Sequence, residues 1–210
     1  MLEQALKFFV VFFVVVEPVS LIPMFTGLTA GATAAYKRRM ACKAALISAA
    51  ILLLFALCGA PFLALMGISL EAFRIFGGLL LFLLALEMVF ARESGTRTSS
   101  SEAAESRRRA DISVFPVAFP FIAGPGALAT ILLWFGALQL PAQTVLFGLY
   151  LAAAALVLAI AALLLLLADP LMRVIGVTGA NVASRLAGVI LGALAVQFVL
   201  DGLRQSFGVS

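Results

Sequence analysis

The sequence predicts an all-α integral membrane protein: six transmembrane helices in two inverted three-helix repeats, with helices 1 and 4 broken at a Pro-x4-Pro spacing. Three observations predict it. The 210 residues are 64% hydrophobic and 11% charged, with a mean hydropathy of +1.20, whereas soluble domains run at about 45–50% apolar and about 25% charged. Pro18-Val-Ser-Leu-Ile-Pro23 interrupts the apolar segment Phe8–Phe25, and the same spacing returns as Pro120-Phe-Ile-Ala-Gly-Pro125, an offset of 102. Cationic side chains collect on alternate loops.

At about 20 apolar residues per span, the chain holds six helices and leaves no room for a separate soluble domain. The net charge of +4 does not point to nucleic acid, because the basic residues cluster in loops as membrane topology requires. Histidine is absent, which removes the commonest metal ligand and the usual proton shuttle. Cys42 and Cys58 fall in one predicted helix, about 24 Å apart along its axis at 1.5 Å per residue, too far for a disulfide. No metal or cofactor is expected. Nothing resembles a Walker motif, so ATP is not a direct energy source. Enzyme activity is not expected: without histidine no Ser–His site can be built, and Glu17 lacks an evident second carboxylate. Lys7 and the run behind it imitate a signal peptide. The run ends in Glu17-Pro18, however, and Ala30-Gly31-Ala32 lies too far on for cleavage.

Helix 1 is expected from Leu2 to Leu28, broken near Glu17–Pro23, since proline lacks an N–H and its ring clashes with the preceding turn. Thr29–Thr33 is a turn, followed by Lys37, Arg38, Arg39 and Lys43. Helix 2 runs from Arg39 to Met66 with Pro61 near its end, and helix 3 from Glu71 to Phe90. Residues 91–111 are polar and read as a flexible cytoplasmic linker. It separates a first repeat, 1–90, from a second, 112–210. Helix 4 starts near Asp111, is interrupted around Pro116, Pro120 and Gly124-Pro125-Gly126, and ends near Gln139. Leu140–Gln143 is a turn. Helix 5 runs from Thr144 to Leu167 and is ended by Asp169-Pro170. Helix 6 runs from Asn181 to Leu203, with Asn181 as its cap. Gly77-Gly78 and Gly188-x3-Gly192 suit close helix packing.

The halves match in order. Pro61 and Gly67 map to Pro170 and Gly176 at an offset of 109, and Arg74-x-x-Gly77 maps to Arg185-x-x-Gly188 at 111. This is an internal duplication, and an odd number of helices per repeat inserts the halves in opposite directions. Loops 1, 3 and 5 carry eleven cations: Lys37, Arg38, Arg39, Lys43, Arg92, Arg97, Arg107, Arg108, Arg109, Arg173 and Arg185. The other side carries three: Lys7, Arg74 and Arg204. The positive-inside rule places the odd loops in the cytoplasm and both termini outside.

A helix broken in lipid leaves N–H and C=O groups without partners, so the break must face protein or a polar cavity. Helix N-termini favour anions. The half-helices opening near Pro23 and at Gly124-Pro125-Gly126 therefore suit a carboxylate. Glu17 and the freed carbonyls suit an ammonium, a coupling proton or Na⁺, and the residues do not choose among these. The candidate substrate-binding residues are Glu17, Pro18, Ser20, Pro23, Pro120, Gly124, Pro125, Gly126 and Thr130. Arg74, Arg185 and Asn181 are candidates for gating or helix ends. Plainer roles stand beside these. The prolines can be packing kinks, and Glu17 a protonated group bonded to another helix. Ser20, Thr26 and Thr130 can satisfy backbone, and Arg74 and Arg185 can snorkel or cap. Glu87, Gln197 and Asp201 read as interfacial. The basic clusters read as topology determinants only.

Glu17-Pro-Val-Ser-Leu-Ile-Pro-Met-Phe25, Ala72-Phe-Arg-Ile-Phe-Gly-Gly78, Phe115-Pro-Val-Ala-Phe-Pro-Phe-Ile-Ala-Gly-Pro-Gly-Ala127 and Ala195-Val-Gln-Phe-Val-Leu-Asp-Gly202 together resemble the MarC family of bacterial inner-membrane proteins. The resemblance covers essentially the whole chain, and the block at 116–126 is its most specific part. It implies six helices, a place among LysE-like exporters, and transport of small neutral amino acids. A drug-resistance role is implied only by the family's name. The family usually has Asp or Asn before the first proline, and Glu17 keeps the acid but lengthens it.

The expected function is therefore a secondary transporter of small neutral amino acids or similar solutes, working by alternating access at a midplane site between broken helices 1 and 4. The alternative is a non-transporting membrane scaffold or assembly partner. A thiol-relay electron carrier is rejected, since no cysteine lies near Pro18 or Pro120. The expected setting is the bacterial inner membrane, with lipid and a small solute as partners, no nucleic acid, and a homo-oligomer left open.

Overall fold

The computed structural model describes residues 1–90, 111–139 and 141–208, and every regular element in them is helical. The predicted linker thus lies outside the described residues except for Asp111, as does Leu140 of the turn after it. Five helical stretches are long and apolar enough to cross a membrane. A sixth is added when residues 113–122 and Pro125–Gly136, bent by 57°, count as one span.

Helix α1 (Leu2–Val16) stops where the sequence forces it to. Glu17 precedes a proline, which disfavours the right-handed helical region, and it adopts φ 52° and ψ 60°. Its N–H still reaches Phe13 O at 2.9 Å. Pro18–Ser20 turn the chain into α2 (Leu21–Leu28). Pro23 does not break this helix. It is the third residue of α2, in the first turn, where a missing N–H costs nothing.

Helix α3 (Ala34–Leu65) starts five residues earlier than expected, because Thr33 caps it by accepting a hydrogen bond from Tyr36 N. Lys37 and Arg38 therefore join Arg39 and Lys43 on the helix. Helix α4 (Leu70–Phe90) is capped by Ser69.

Residues 113–122 depart most from expectation. Phe115 and Phe119, each before a proline, are extended (φ −125° and −128°), and both X–Pro bonds are cis. The chain forms wide five-residue turns in place of an α-helix, with Val117 N bonded to Ile112 O and Ala123 N to Ala118 O. Helix α5 (Pro125–Gly136) then begins with proline at its first position, where the fixed φ suits it.

Helix α6 (Thr144–Leu166) is followed at once by α7 (Ala168–Phe207). Asp169-Pro170 begins a helical stretch instead of only ending one, since both lie in the first turn of α7. That stretch breaks at Gly176 (φ 64°, ψ 173°) and resumes. Asn181 lies inside the resumed helix and is exposed, so it caps nothing. Gly176, which alone tolerates this φ freely, sets the boundary instead.

The helices alternate between two faces. Arg74 at the start of α4 donates to Gln205 at the end of α7 (2.7 Å), and Gln4, Leu138, Gln143 and Asp201 gather around the same cavity. This first face carries the N-terminus and the end of α7. At the second face, Lys37 of α3 pairs with Asp169 at the start of α7 (2.8 Å), and Lys43 pairs with Asp111. The basic cluster therefore does more than set topology: two of its lysines tie the first half of the chain to the second. Helices α4 and α7 run antiparallel along a seam of small residues. A Cβ on Gly78 would lie 2.9 Å from Ala195 O, and one on Gly188 3.2 Å from Ala85 O. The close packing expected at these glycines is present.

Candidate functional site

The helix that leads into the first interruption packs on the helix that follows the second. Val15 stands two residues before Glu17, and its Cγ1 would be 3.3 Å from a Cβ placed on Gly126. The end of α1 thus meets the start of α5.

On the first side, Glu17 is 4% exposed and Pro18 is buried. The left-handed backbone at Glu17 turns the chain so that Ser20 Oγ donates to Glu17 Oε1. A carboxylate at this depth in apolar surroundings is costly, and the serine hydroxyl offsets part of that cost. Thr26 Oγ1 donates to Ile22 O and Pro23 O, within its own helix.

On the second side, Gly124 and Gly126 are positions where no side chain fits. A Cβ on Gly124 would sit 2.2 Å from Pro120 O, and one on Gly126 2.8 Å from Leu81 Cδ2. The first free donors of α5 are the N–H groups of Gly126 and Ala127, and Leu128 N closes the first turn on Gly124 O at 3.0 Å. Thr130 is fully buried, and its hydroxyl is spent on Gly126 O at 2.9 Å. It supports the glycine turn and does not face the cavity.

That cavity measures about 30 Å³ and is walled by Val15, Leu84, Pro120, Gly124, Pro125 and Gly126. A water needs about 10–15 Å³ measured this way, so it has room for two or three waters at most. Glu17, Ser20 and Pro23 do not line it. The structure packs the last turn of α1 on the start of α5 at Val15 and Gly126, but leaves the Glu17 carboxyl bonded to Ser20 and outside that cavity.

The helix-end candidates separate. Arg74 is half-buried and lines a larger first-face cavity of about 280 Å³. Arg185 is exposed on α7.

Three residues escaped sequence reasoning. Ser48 is fully buried on α3 and donates to Ala44 O (2.9 Å) and Ala118 O (3.4 Å), tying α3 to the wide turns before the second interruption. Nothing distinguishes a lone serine in an apolar helix from one that bonds only its own backbone. Lys43 and Asp111 also escaped. The Lys43 ammonium, helped by the hydroxyl and N–H of Ser113, holds the Asp111 carboxyl at about 2. Ser113 is itself buried and donates from N (3.0 Å) and Oγ (2.5 Å) to Asp111 Oδ1.

With this geometry in view, the comparisons with known proteins bear on the whole span. The family described as MarC family integral membrane protein matches residues 2–207. The UPF0056 membrane protein YhcE of Escherichia coli is 35% identical, over 96% of this chain and 92% of the relative. The UPF0056 membrane protein YvbG of Bacillus subtilis is 36% identical, over 96% and 94%. A UPF0056 membrane protein of Aquifex aeolicus is 34% identical, over 94% and 91%. These names state a membrane protein and no substrate. No solved structure matches the chain.

Proposed function

Because the chain belongs to the MarC family of integral membrane proteins, we propose that it is a secondary transporter of small neutral amino acids or similar solutes, working by alternating access between two inverted three-helix halves. The packing of the end of α1 on the start of α5, Val15 against Gly126, carries this reading, since each helix borders one interruption. Paired interruptions at matching points of two halves are how transporters of several folds build a midplane site. The inverted repeat draws support from helix direction: repeat partners α4 and α7 are antiparallel, and Gly67 and Gly176, matched at an offset of 109, share positive φ values of 70° and 64°.

In this reading the α5 N-terminus at Gly124-Pro125-Gly126 takes the substrate carboxylate, since helix N-termini favour anions. Glu17, with Ser20, Pro18 and Pro23 shaping its turn, takes the ammonium, a coupling proton or Na⁺. The 30 Å³ cavity is too small for an amino acid, so the state described is closed and the half-helices must part to load. The protein has no enzymatic role or cofactor, sits in the bacterial inner membrane, and has its second face in the cytoplasm and both termini outside.

Uptake of labelled alanine, serine or glycine into proteoliposomes, under proton or Na⁺ gradients and in both orientations, tests the reading. Saturable uptake that falls at least tenfold in Glu17→Gln is expected. No uptake under either gradient sinks it. That outcome would favour a non-transporting membrane scaffold, for which the small cavity and the Ser20 bond to Glu17 already speak.

A further inference from the structure

A polar opening lies away from the interruptions, at the first face. It measures about 280 Å³ and is ringed by Gln4, Arg74, Trp134, Gln143, Tyr150 and Asp201. We propose that this cavity is a binding site for a small zwitterion, held with its anionic group on Arg74 and its cationic group on Asp201.

The two charges share one cavity without neutralising each other. Among the described residues no ion pair joins them. Arg74 Nη1 donates to Gln205 Oε1 at 2.7 Å, and Asp201 Oδ1 accepts from Gln197 Nε2 at 2.7 Å. A guanidinium has five N–H donors and a carboxylate about four acceptor sites, so both keep capacity facing the cavity. A ligand carrying both signs compensates both groups at once. A ligand carrying one sign desolvates the opposite group without compensation, which is costly. The site therefore discriminates by charge pattern.

Its walls suit a small body between those charges. Trp134 and Tyr150 meet edge to face at 5.5 Å, and each packs on Phe8, at 5.5 Å and 5.0 Å. This interlocked cluster gives one rigid apolar wall, and an aromatic face also attracts a cation. The volume falls just below the range of about 300–1,000 Å³ typical of small-molecule pockets, which favours a compact ligand. A free amino acid has this chemistry, and so does the headgroup of phosphatidylethanolamine. The site is argued from its own charges and does not depend on the transport reading.

Trp134 is the single tryptophan of the chain, so its emission reports on the cavity directly. The full chain is placed in phosphatidylglycerol nanodiscs and titrated with alanine. A saturable emission change is expected. Acetate and methylammonium at equal concentration should give less than a tenth of it. Arg74→Gln and Asp201→Asn should each raise the alanine Kd at least tenfold with unfolding temperatures unchanged. Where either fails to fold, Arg74→Met or Asp201→Ser, which also remove the charge, replaces it. An emission change in phosphatidylethanolamine nanodiscs without alanine, removed by the same variants, supports the site and assigns it to the lipid headgroup. The proposal is overturned if neither alanine nor phosphatidylethanolamine gives a response, if acetate or methylammonium matches alanine, or if the variants bind as the unmodified chain does. Uptake and emission are read on the same preparation, so loss of uptake with this binding intact, or the reverse, separates the two proposals.

Discussion

Val15 lies against Gly126, two residues before the first interruption against two residues after Gly124, the point at which the second half-helix begins. Val15 and Leu81 crowd any side chain added at position 126, and this sets a graded expectation along the glycines.

Gly126→Ala should destabilise by about 1–3 kcal/mol, the usual cost of overpacking, because Leu81 Cδ2 at 2.8 Å is the end of a flexible side chain that can yield. Gly124→Ala should exceed the roughly 4–5 kcal/mol that marks exceptional substitutions, because the Pro120 carbonyl at 2.2 Å is backbone. Gly27→Ala, with nothing within 4 Å, should gain about 0.5–1 kcal/mol in its helix. Thermal unfolding in detergent orders the three. Equal effects at 124 and 27 would contradict the packing described.

Glu17 combines a left-handed backbone with a buried carboxyl. A non-glycine residue in that region costs about 1–2 kcal/mol. Glu17→Gly should therefore keep the unfolding temperature within a few degrees of the unmodified chain, relief of backbone strain offsetting loss of the Ser20 bond, while abolishing uptake. A variant that still transports would remove the carboxyl from the mechanism.

Asp111 supplies a pH test. Its carboxyl is lowered from the ordinary 3.8 to about 2, chiefly by its bond to Lys43. A depressed folded-state value means that stabilisation is present above the unfolded value and lost as pH falls through the folded one. The unmodified chain should be more stable than Asp111→Asn above about pH 4, and the difference should fade as pH drops from 3.8 toward about 2. Unfolding temperatures of the two chains across that window check it. A constant difference would show that Asp111 acts only as a cap for Ser113.

Lys37 and Asp169, 132 residues apart, form a bidentate contact at 2.9 and 2.8 Å. A double-mutant cycle with Lys37→Ala and Asp169→Ala should give a coupling of about 0.2–1 kcal/mol, as for partly exposed pairs. A null coupling would leave the second face tied by Lys43 and Asp111 alone.

What the sequence made legible follows from the range of the interactions involved. The interruption at Glu17-Pro18 was readable because a proline constrains its own neighbour. The α4–α7 seam was readable because glycines at 78, 188 and 192 have few uses in an apolar helix other than close approach, while Gly77 makes the same approach to Ala129 of α5. Pro23 was misread as a breaker because its effect depends on where the helix restarts, and Glu17 decided that. Asn181 was misread because Gly176, five residues earlier, already carried the boundary. The wide turns of 113–122 depend on how two prolines four residues apart act together, which periodicity does not encode. The partners of Lys37 and Lys43 come from the other half of the chain, and charge counting gives only their side. At the site, the glycine cradle was visible residue by residue. The separation of Glu17 from the cavity it was expected to line was not.

The seam between α4 and α7 also has a mechanical meaning. Gly78, Gly188 and Gly202 bring one helix of each half to within 2.9–3.2 Å of the other's carbonyls, measured from an added Cβ. The two helices thus share one close-packed spine, with little room for a side chain at these three positions. Helix α2 packs mainly on α7 and α6, and residues 113–122 mainly on α3, so each short limb leans on a different neighbour. If the protein transports as proposed, that spine is the natural fulcrum and the short limbs the levers.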